Sequence, residues 1–262
     1  MNGLGTFIML IVAAVLLALL GLALVRRTVP RDRLARHIDV AGYVYAVIGV
    51  IYAVILAQVV IAAWQQYQDA RAVADDEANA VLNLARLAQV WPDEDRQRVE
   101  DALSAYAQHV VDVEWPDMAQ NEFDESLHTA LIHNLWRAVN DAGVRAESLD
   151  PVYAASLQQL DALDEARRSR MLLGRDRLPE AMTLTLIIGA VVTVGFSYLF
   201  AVEEGWIQGL MTASLATLVA LLLLLEYQLD TPYGGVSAIE PTAMELVRTE
   251  IDAGLGVIGG QS

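Results

Sequence analysis

The chain has 262 residues, of which 55% are hydrophobic, and its formal net charge is −16 at pH 7. This negative charge argues against nucleic-acid binding, which needs a basic surface, and the lack of cysteine excludes disulfides and cysteine-held metals. A mean hydropathy of +0.40 is higher than expected for a soluble domain of this size and indicates membrane spans.

Four stretches without acidic or basic side chains are long enough to cross the ~30 Å hydrocarbon core of a bilayer as helices. They cover residues 1–25, 40–63, 181–202 and 206–225. The first stretch has no basic residue before it and five arginines soon after it, which is the reverse of a secretory signal. The sequence therefore predicts an all-α, polytopic membrane protein with four transmembrane helices.

An acidic helical insert separates the second and third spans. Turn signals at Trp91-Pro92, Trp115-Pro116, Gly143 and Asp150-Pro151 divide it into helices, and no alternating strand pattern occurs. Each helix has an apolar stripe at helical spacing. The first stripe comprises Val99, Leu103, Tyr106, Val110 and Val113; the second, Phe123, Leu127, Leu131, Leu135 and Ala138; the third, Val152, Ala155, Gln159, Leu163 and Ala166.

The predicted domain organisation follows from these elements. A first transmembrane hairpin covers 1–64, the extramembrane helical domain 65–180, a second hairpin 181–228 and a tail 229–262. A stripe in the tail at Met244, Val247, Ile251 and Leu255 predicts a short amphipathic helix. This helix is expected either at the membrane surface or against the insert.

The second span has two distinct faces. Gly42, Ala46, Gly49 and Ala53 form a strip of small residues, which lets helices approach closely in lipid. Gln58 lies nearly opposite this strip, and an amide inside the membrane is expected to face protein or water. A tightly packed bundle helix is the simpler interpretation; a pore helix lined by isoleucines and Gln58 is the alternative.

Arginines precede the third span, at positions 167, 168, 170, 175 and 177. Arg170, Arg175 and Arg177 could pair with acids beyond the second span, of which Glu77 is one. Alternatively, they could form a cationic mouth that gathers anions by focusing the electric field. The residues alone leave both interpretations open.

Several motifs together resemble the bacterial bestrophin-like domain family, formerly a family of unknown function. In the tail motif Asp230-Thr-Pro232-Tyr233, this chain has tyrosine where the family usually has phenylalanine. The other motifs are the 42–58 segment, Trp64-Gln-Gln-Tyr67, Ala70, Glu77, Tyr106, Glu114-Trp115-Pro116, Arg170, Arg175 and Arg177-Leu178-Pro179.

The family is remotely similar to bestrophins, which are pentameric anion channels. The resemblance therefore implies a homo-oligomer in a lipid bilayer and a narrow apolar neck formed by the second helix. It assigns pore-lining roles to Ile48, Ile51 and Ile55, with Gln58 on the same side. Acids in the tail are widely spaced, so the calcium site of animal bestrophins is not carried over.

Two function classes remain at the level of sequence. One is an oligomeric channel for small inorganic ions, with anions expected from the resemblance. The other is a non-conducting membrane sensor or scaffold whose insert binds a partner. The four histidines lack metal-site spacing and no catalytic constellation is evident, so neither an enzyme nor a cofactor is expected.

The compartment follows from the spans, and the orientation is less constrained. The bacterial inner membrane is the expected location. The arginine-rich connection after the first span places the insert outside, whereas the bestrophin resemblance would place it inside.

Overall fold

The computed structural model describes residues 3–30, 38–122, 128–145, 151–200, 202 and 204–255. Within them, every regular element is helical, which confirms the predicted all-α class. A π-helical turn at Val110–Glu114 joins two of the α-helices. The α-helices are α1 (Gly3–Thr28), α2 (Ile38–Ala88), α3 (Asp93–His109), α4 (Trp115–Ala119), α5 (His128–Arg145), α6 (Pro151–Arg175), α7 (Glu180–Ser197), α8 (Gly205–Leu229) and α9 (Thr242–Asp252).

Four helical stretches are long and apolar enough to cross a membrane, judged by length and composition. They are Gly5–Thr28, Val40–Ala88, Pro151–Ser197 and Gly205–Leu229, and the four predicted spans overlap them. The third stretch includes the charged helix α6 before the apolar helix α7. These helices make the chain a membrane protein.

The chain divides into two compact units. The membrane unit comprises Met1–Gln66 and Arg177–Asp230. The helical unit comprises Tyr67–Asp176 and the chain from Thr231 onward. The part of the tail beyond Asp230 therefore belongs to the same unit as the insert. The sequence had suggested the tail as a segment of its own.

The membrane unit is held by close helix packing. Helix α1 packs against α8, and α7 packs against α8 as a hairpin. Tyr52 and Leu56 of α2 pack against Leu186 of α7. A Cβ atom at Gly189 would overlap the ring of Tyr52, so glycine there permits the close approach. Contacts of this kind replace the hydrophobic effect between helices in lipid.

The helical unit has its own hydrophobic core. Helix α3 contributes Val99, Leu103 and Tyr106, all buried as predicted, and packs against α5 and α9. Met244, Val247 and Ile251 of α9 are buried in this core. Of the two sites expected for the tail helix, the structure therefore shows the one against the insert.

The predicted burial was only partly right for the second and third apolar stripes of the insert. Phe123 and Leu127 of the second stripe lie outside the described residues, Leu131 and Ala138 are partly buried, and Leu135 is buried. The third stripe is rotated, because Ser156 and Leu160 are buried instead of Ala155 and Gln159. Ser156 tolerates burial since its hydroxyl donates to the Val152 carbonyl at 2.8 Å, and Gln159 accepts from Asn83 at 3.4 Å.

Candidate functional site

A buried ion cluster lies in the helical unit. Arg170 of α6 donates from Nε to Glu77 Oε2 of α2 and from Nη2 to Glu114 Oε2 of the π turn. At most 1% of each of these three side chains is exposed. Nη2 also donates to Glu77 Oε1 at 3.0 Å. Of the alternatives for Arg170, the structure shows the ion pair with Glu77; a guanidinium without exposed surface cannot lie at a cationic mouth.

A second arginine contributes to the charge balance of the cluster. Two carboxylates surround Arg170, and one guanidinium alone would leave them with a net negative charge. Arg167 Nε donates to Glu114 Oε1 at 3.3 Å, and His109 Nε2 lies 3.9 Å from the same oxygen. Because buried charges are costly unless paired and hydrogen-bonded, this second cation stabilises Glu114 in place.

The Tyr106 hydroxyl completes the hydrogen bonding of Glu77. It donates to Glu77 Oε1 at 2.6 Å from the buried face of α3. Burial raises the pKa of Tyr106 well above its ordinary value, and the charges of Glu77 and Glu114 raise that pKa further. The phenol therefore remains a protonated donor throughout the physiological pH range.

Trp115 connects the ion cluster to the tail. Arg170 Cζ lies 4.9 Å from the centroid of the Trp115 ring, which is a cation–π distance. The Tyr233 ring meets Trp115 edge-on, with centroids 5.5 Å apart and planes at 89°. The indole Nε1 donates to the Ile239 carbonyl at 2.8 Å. The indole thus contacts the buried guanidinium and two residues of the tail.

The tail motif is fixed by its side chains and its turn. Tyr233 is buried and donates to the Ala70 carbonyl at 2.9 Å, a bond that the usual phenylalanine could not form. Burial raises the pKa of Tyr233 above its ordinary value, so this phenol also stays protonated. The Ile239 N–H donates to the Pro232 carbonyl at 2.8 Å and closes the segment between them.

The first residue of the motif has its role in the membrane unit. Asp230 Oδ1 accepts from the Leu178 N–H at 2.8 Å, and its carbonyl accepts from Arg177 Nη1. The motif Arg177-Leu178-Pro179 and Asp230 therefore hold the end of α8 beside the start of α7. Arg175 is exposed at the end of α6.

Replacing Tyr233 with phenylalanine should lower the free energy of unfolding by about 0.5–1.5 kcal/mol, because one hydrogen bond is lost while the ring packing remains. Thermal denaturation of the detergent-purified protein measures this change. Tyr43→Phe is the control, since the Tyr43 side chain is exposed. Equal shifts for the two variants would show that the bond to Ala70 contributes nothing.

The π turn explains why the predicted burial was wrong for the last residue of the first apolar stripe. Val113 was predicted to be buried, but it is 38% exposed, whereas Glu114 is buried. A π turn holds more residues than an α turn, so each residue advances by a smaller angle and Glu114 takes the inward position. Pro116 has no N–H for the carbonyl of Asp112, which disfavours a regular α-helix here. This proline was the sequence signal for the role of Glu114.

The residues that the resemblance assigns to a pore lie on a face of α2 that the other described residues leave largely uncovered. Tyr52, Leu56 and Val59 form the buried face of this helix in the membrane unit. Ile51 is 54% exposed; Ile55 and Gln58 are also exposed, and Ile48 is half-buried.

The strip of small residues is also uncovered. Ala46 and Ala53 are exposed, and a Cβ atom at Gly42 or Gly49 would have nothing within 4 Å. The strip therefore makes no close contact with another helix in the part of the chain that the structure describes. Its predicted role as a contact face stays a prediction that requires a second copy.

The described residues contain no group of three or more histidine, aspartate or glutamate side chains that could hold a metal ion. The buried acids are instead engaged by arginine. The ion cluster has no exposed reacting group, and its chemistry is that of a structural clamp between α2, α6 and the π turn.

A family model described as a Bestrophin-like domain matches residues 12–244, which is most of the chain. The chain belongs to the bestrophin-like family. The resemblance predicted from the motifs is therefore confirmed. This family is of the channel type rather than an enzyme type. Among curated proteins, none matches the chain.

Solved structures share the fold of this bestrophin-like chain. A bacterial bestrophin homologue from Klebsiella pneumoniae, solved by zinc phasing, is 15% identical with a TM-score of 0.72, covering 92% of this chain and 97% of that one. A variant of that homologue with one substitution is 15% identical with a TM-score of 0.74, covering 94% and 99%. Another variant is 17% identical with a TM-score of 0.71, covering 96% and 97%. At these identities the likeness shows the fold.

Several motif residues in the helical unit of this bestrophin-like chain meet in space. Glu77, Glu114 and Arg170 are in the ion cluster, and Trp115 and Tyr233 pack beside it. Sequence reasoning named them as a series of weak motifs without assigning them to one site. The opposite charges of Glu77 and Arg170 had suggested a pair, but the sequence separations gave no indication that the other motif residues would join them.

Proposed function

We propose that the chain forms an oligomeric, bestrophin-like ion channel whose neck is lined by α2. Small inorganic ions pass through it, and the family resemblance favours small anions. The observation that carries this proposal is the uncovered face of α2, on which exposed Gln58 lies beside Ile51 and Ile55. Membership of the bestrophin-like family supports it independently.

Gln58 argues against a lipid-facing position for this side of the helix. Isoleucine is tolerated equally well by lipid and by a packed protein, so it does not distinguish the two. An amide in hydrocarbon lacks hydrogen-bond partners, and polar residues within spans therefore face protein or a water-filled cavity. Gln58 is exposed within a single chain, so water or another copy of the chain is its best-matched environment.

The small strip and the isoleucines lie on opposite sides of α2. At 100° per residue, the small strip lies about 60–120° to one side of Tyr52. Ile51, Ile55 and Gln58 lie about 60–120° to the other side. With Tyr52 facing its own chain, the isoleucines of each copy can face a central axis, and the strip, about 180° away from them, can pack against an outer helix of a neighbouring copy. The resemblance implies a pentamer.

The isoleucines would form a short apolar neck. Ile48 and Ile55 are one heptad apart, or about 10 Å along a helix axis. Stacked apolar rings at this spacing exclude water when the tube is narrow and can gate the passage of ions by dewetting.

Two measurements on the purified protein test the proposal. Particle imaging in detergent should show a ring with an axial path, and liposomes containing the protein should pass ions. A monomer or closed dimer that passes no ions under varied pH, calcium and voltage, and that co-purifies with a partner protein, would instead support the scaffold alternative.

Replacing Gly49 with leucine should shift the oligomer toward smaller species, because a bulky side chain would hold the helices of neighbouring copies apart. Size-exclusion chromatography with light scattering measures the distribution. Gly5→Leu on α1 is the matched control, since both glycines have open space within one chain. An unchanged distribution for Gly49→Leu would remove the strip from the subunit contact.

We place the chain in the bacterial inner membrane with the insert, residues 65–180, on the outer side. Support comes from the five arginines that follow the first span, because basic residues in short connections stay in the cytoplasm. The chain lacks cysteine, so a single cysteine at exposed Gln158 can be labelled selectively. A membrane-impermeant maleimide should label it in spheroplasts; labelling only after permeabilisation would reverse the orientation.

A further inference from the structure

The membrane unit contains a cavity of about 220 Å³ near one end of its helices. Tyr45 of α2, Ser197 at the end of α7, and Gln208 and Thr212 of α8 contribute its polar groups. Phe200 contributes an aromatic wall, and its ring meets that of Tyr45 edge-on at 5.2 Å. Polar cavities are rare inside membrane units, where uncompensated polar groups are costly.

Two hydroxyl groups in this cavity have no hydrogen-bond partner among the described residues. Thr212 is only 2% exposed, yet neither its hydroxyl nor that of Tyr45 hydrogen-bonds to a described residue. By contrast, Thr217 on the same helix donates to the Ala213 carbonyl at 2.8 Å. Buried hydrogen-bond donors without acceptors are unfavourable. We therefore expect the hydroxyls of Tyr45 and Thr212 to donate to an acceptor from outside the chain.

The other two polar groups are already engaged, and Ser197 donates to the Val194 carbonyl at 2.6 Å. Gln208 is 4% exposed, and its Nε2 donates to the Phe200 carbonyl at 2.7 Å. This bond fixes the backbone that forms one wall of the cavity. The cavity is therefore a formed site rather than a gap between loosely placed side chains.

The chemistry of the lining selects a neutral acceptor with an apolar extension. Among the described residues, none that lines the cavity is charged, and Arg26, which reaches the lining residue Val202, already donates to its carbonyl at 3.4 Å, so a charged group would find no free counter-charge there. Apolar side chains, including Met211 and Leu215, adjoin the hydroxyls. A carbonyl oxygen attached to a hydrocarbon chain matches both features.

The position of the cavity matches the depth of lipid esters. Helix α8 has 25 residues, or about 37 Å, against ~30 Å for the hydrocarbon core. Its charge-free part, residues 206–225, is about 30 Å long, so Gly205 lies near the boundary of the hydrocarbon core, and Gln208 and Thr212 follow within two turns. The glycerol esters of membrane lipids lie at this boundary, just outside their acyl chains.

We propose that this cavity binds the glycerol-ester region of a diacyl membrane lipid. The ester carbonyl oxygens accept hydrogen bonds from Tyr45 and Thr212, and an acyl chain continues along the apolar side chains. Recognition depends on the ester and not on the head group.

Ester and ether lipids with the same head group test this site. Diacyl phosphatidylglycerol and its dialkyl ether analogue are titrated into the detergent-purified protein, and apparent affinity is measured from the rise in melting temperature. The ether lipid lacks the carbonyl acceptors, so it should bind about tenfold more weakly. Tyr45→Phe with Thr212→Val should abolish the preference, while Thr217→Val should retain it.

Each other outcome contradicts the proposal. Equal affinities of the wild type for the two lipids would indicate ordered water in the cavity, and an unchanged ester preference in the double variant would place the ester elsewhere. If the double variant does not fold, Tyr45→Phe alone must weaken the preference and Thr212→Ser, which keeps the hydroxyl, must retain it. Failure of either result would equally overturn the site.

Discussion

Replacing Arg170 with methionine should lower the free energy of unfolding by roughly 3–5 kcal/mol. Methionine fills much of the volume of arginine but leaves Glu77 and Glu114 buried without their shared guanidinium. Removing one partner of a buried ion pair is costly because the remaining charge stays desolvated. Thermal and denaturant unfolding of the detergent-purified protein, followed by circular dichroism, measures the loss.

Arg168→Met provides the matched control on the same helix. Arg168 pairs with Asp164 at 2.6 Å, but its side chain is 68% exposed, so its loss should cost less than about 1 kcal/mol. Adding Glu77→Gln and Glu114→Gln to the Arg170 variant removes the unpaired charges and should restore part of the stability. Wild-type stability of Arg170→Met would mean that the cluster is hydrated in solution.

Replacing Ile51 with alanine should raise ion flux through the proposed neck several-fold, because a wider and wetter constriction conducts more readily. The same change should cost little stability, since Ile51 is 54% exposed within its own chain. A buried isoleucine in a well-packed core would instead lose about 2–5 kcal/mol on truncation to alanine. Planar bilayer recordings and thermal denaturation of the same preparation provide the two readouts.

Ile188→Ala is the control for this experiment. Ile188 lies on α7 and is also 54% exposed, but it is not on α2. Its truncation should leave flux unchanged. If Ile51→Ala lost stability with unaltered flux, Ile51 would be a packing residue between helices and the neck would have to lie elsewhere.

Elements with strong local signals were predictable from the sequence. The four spans follow from hydropathy, and Val99, Leu103 and Tyr106 follow from their spacing, because an amphipathic face must be buried whatever it packs against. The amphipathic pattern of α9 was also evident, but not its partner. Packing against α3 depends on the tertiary arrangement, which periodicity does not encode.

The candidate site was predictable only in part. Glu77 and Arg170 were considered as partners because opposite charges near the ends of neighbouring spans attract, but their complete burial was not foreseen. Glu114 was missed as a ligand of Arg170, since an ideal α-helix predicts Val113 on the inner face. The small-residue strip and Gln58 distinguished two faces of α2 in the sequence but did not show what covers them, and the Tyr52 face required knowledge of Gly189 on another helix.

The π turn also changes how relatives of this chain should be aligned with it. A turn of this kind accommodates one residue more than a regular α-helical turn, so a homologue with an uninterrupted helix here would be one residue shorter. An alignment without a gap would then place Val113, rather than Glu114, opposite the homologue's buried acid. The alignment should instead be anchored at Tyr106 and at Trp115-Pro116, with the gap between them. Glu114, the acid that pairs with Arg170, is then aligned with the homologue's buried acid.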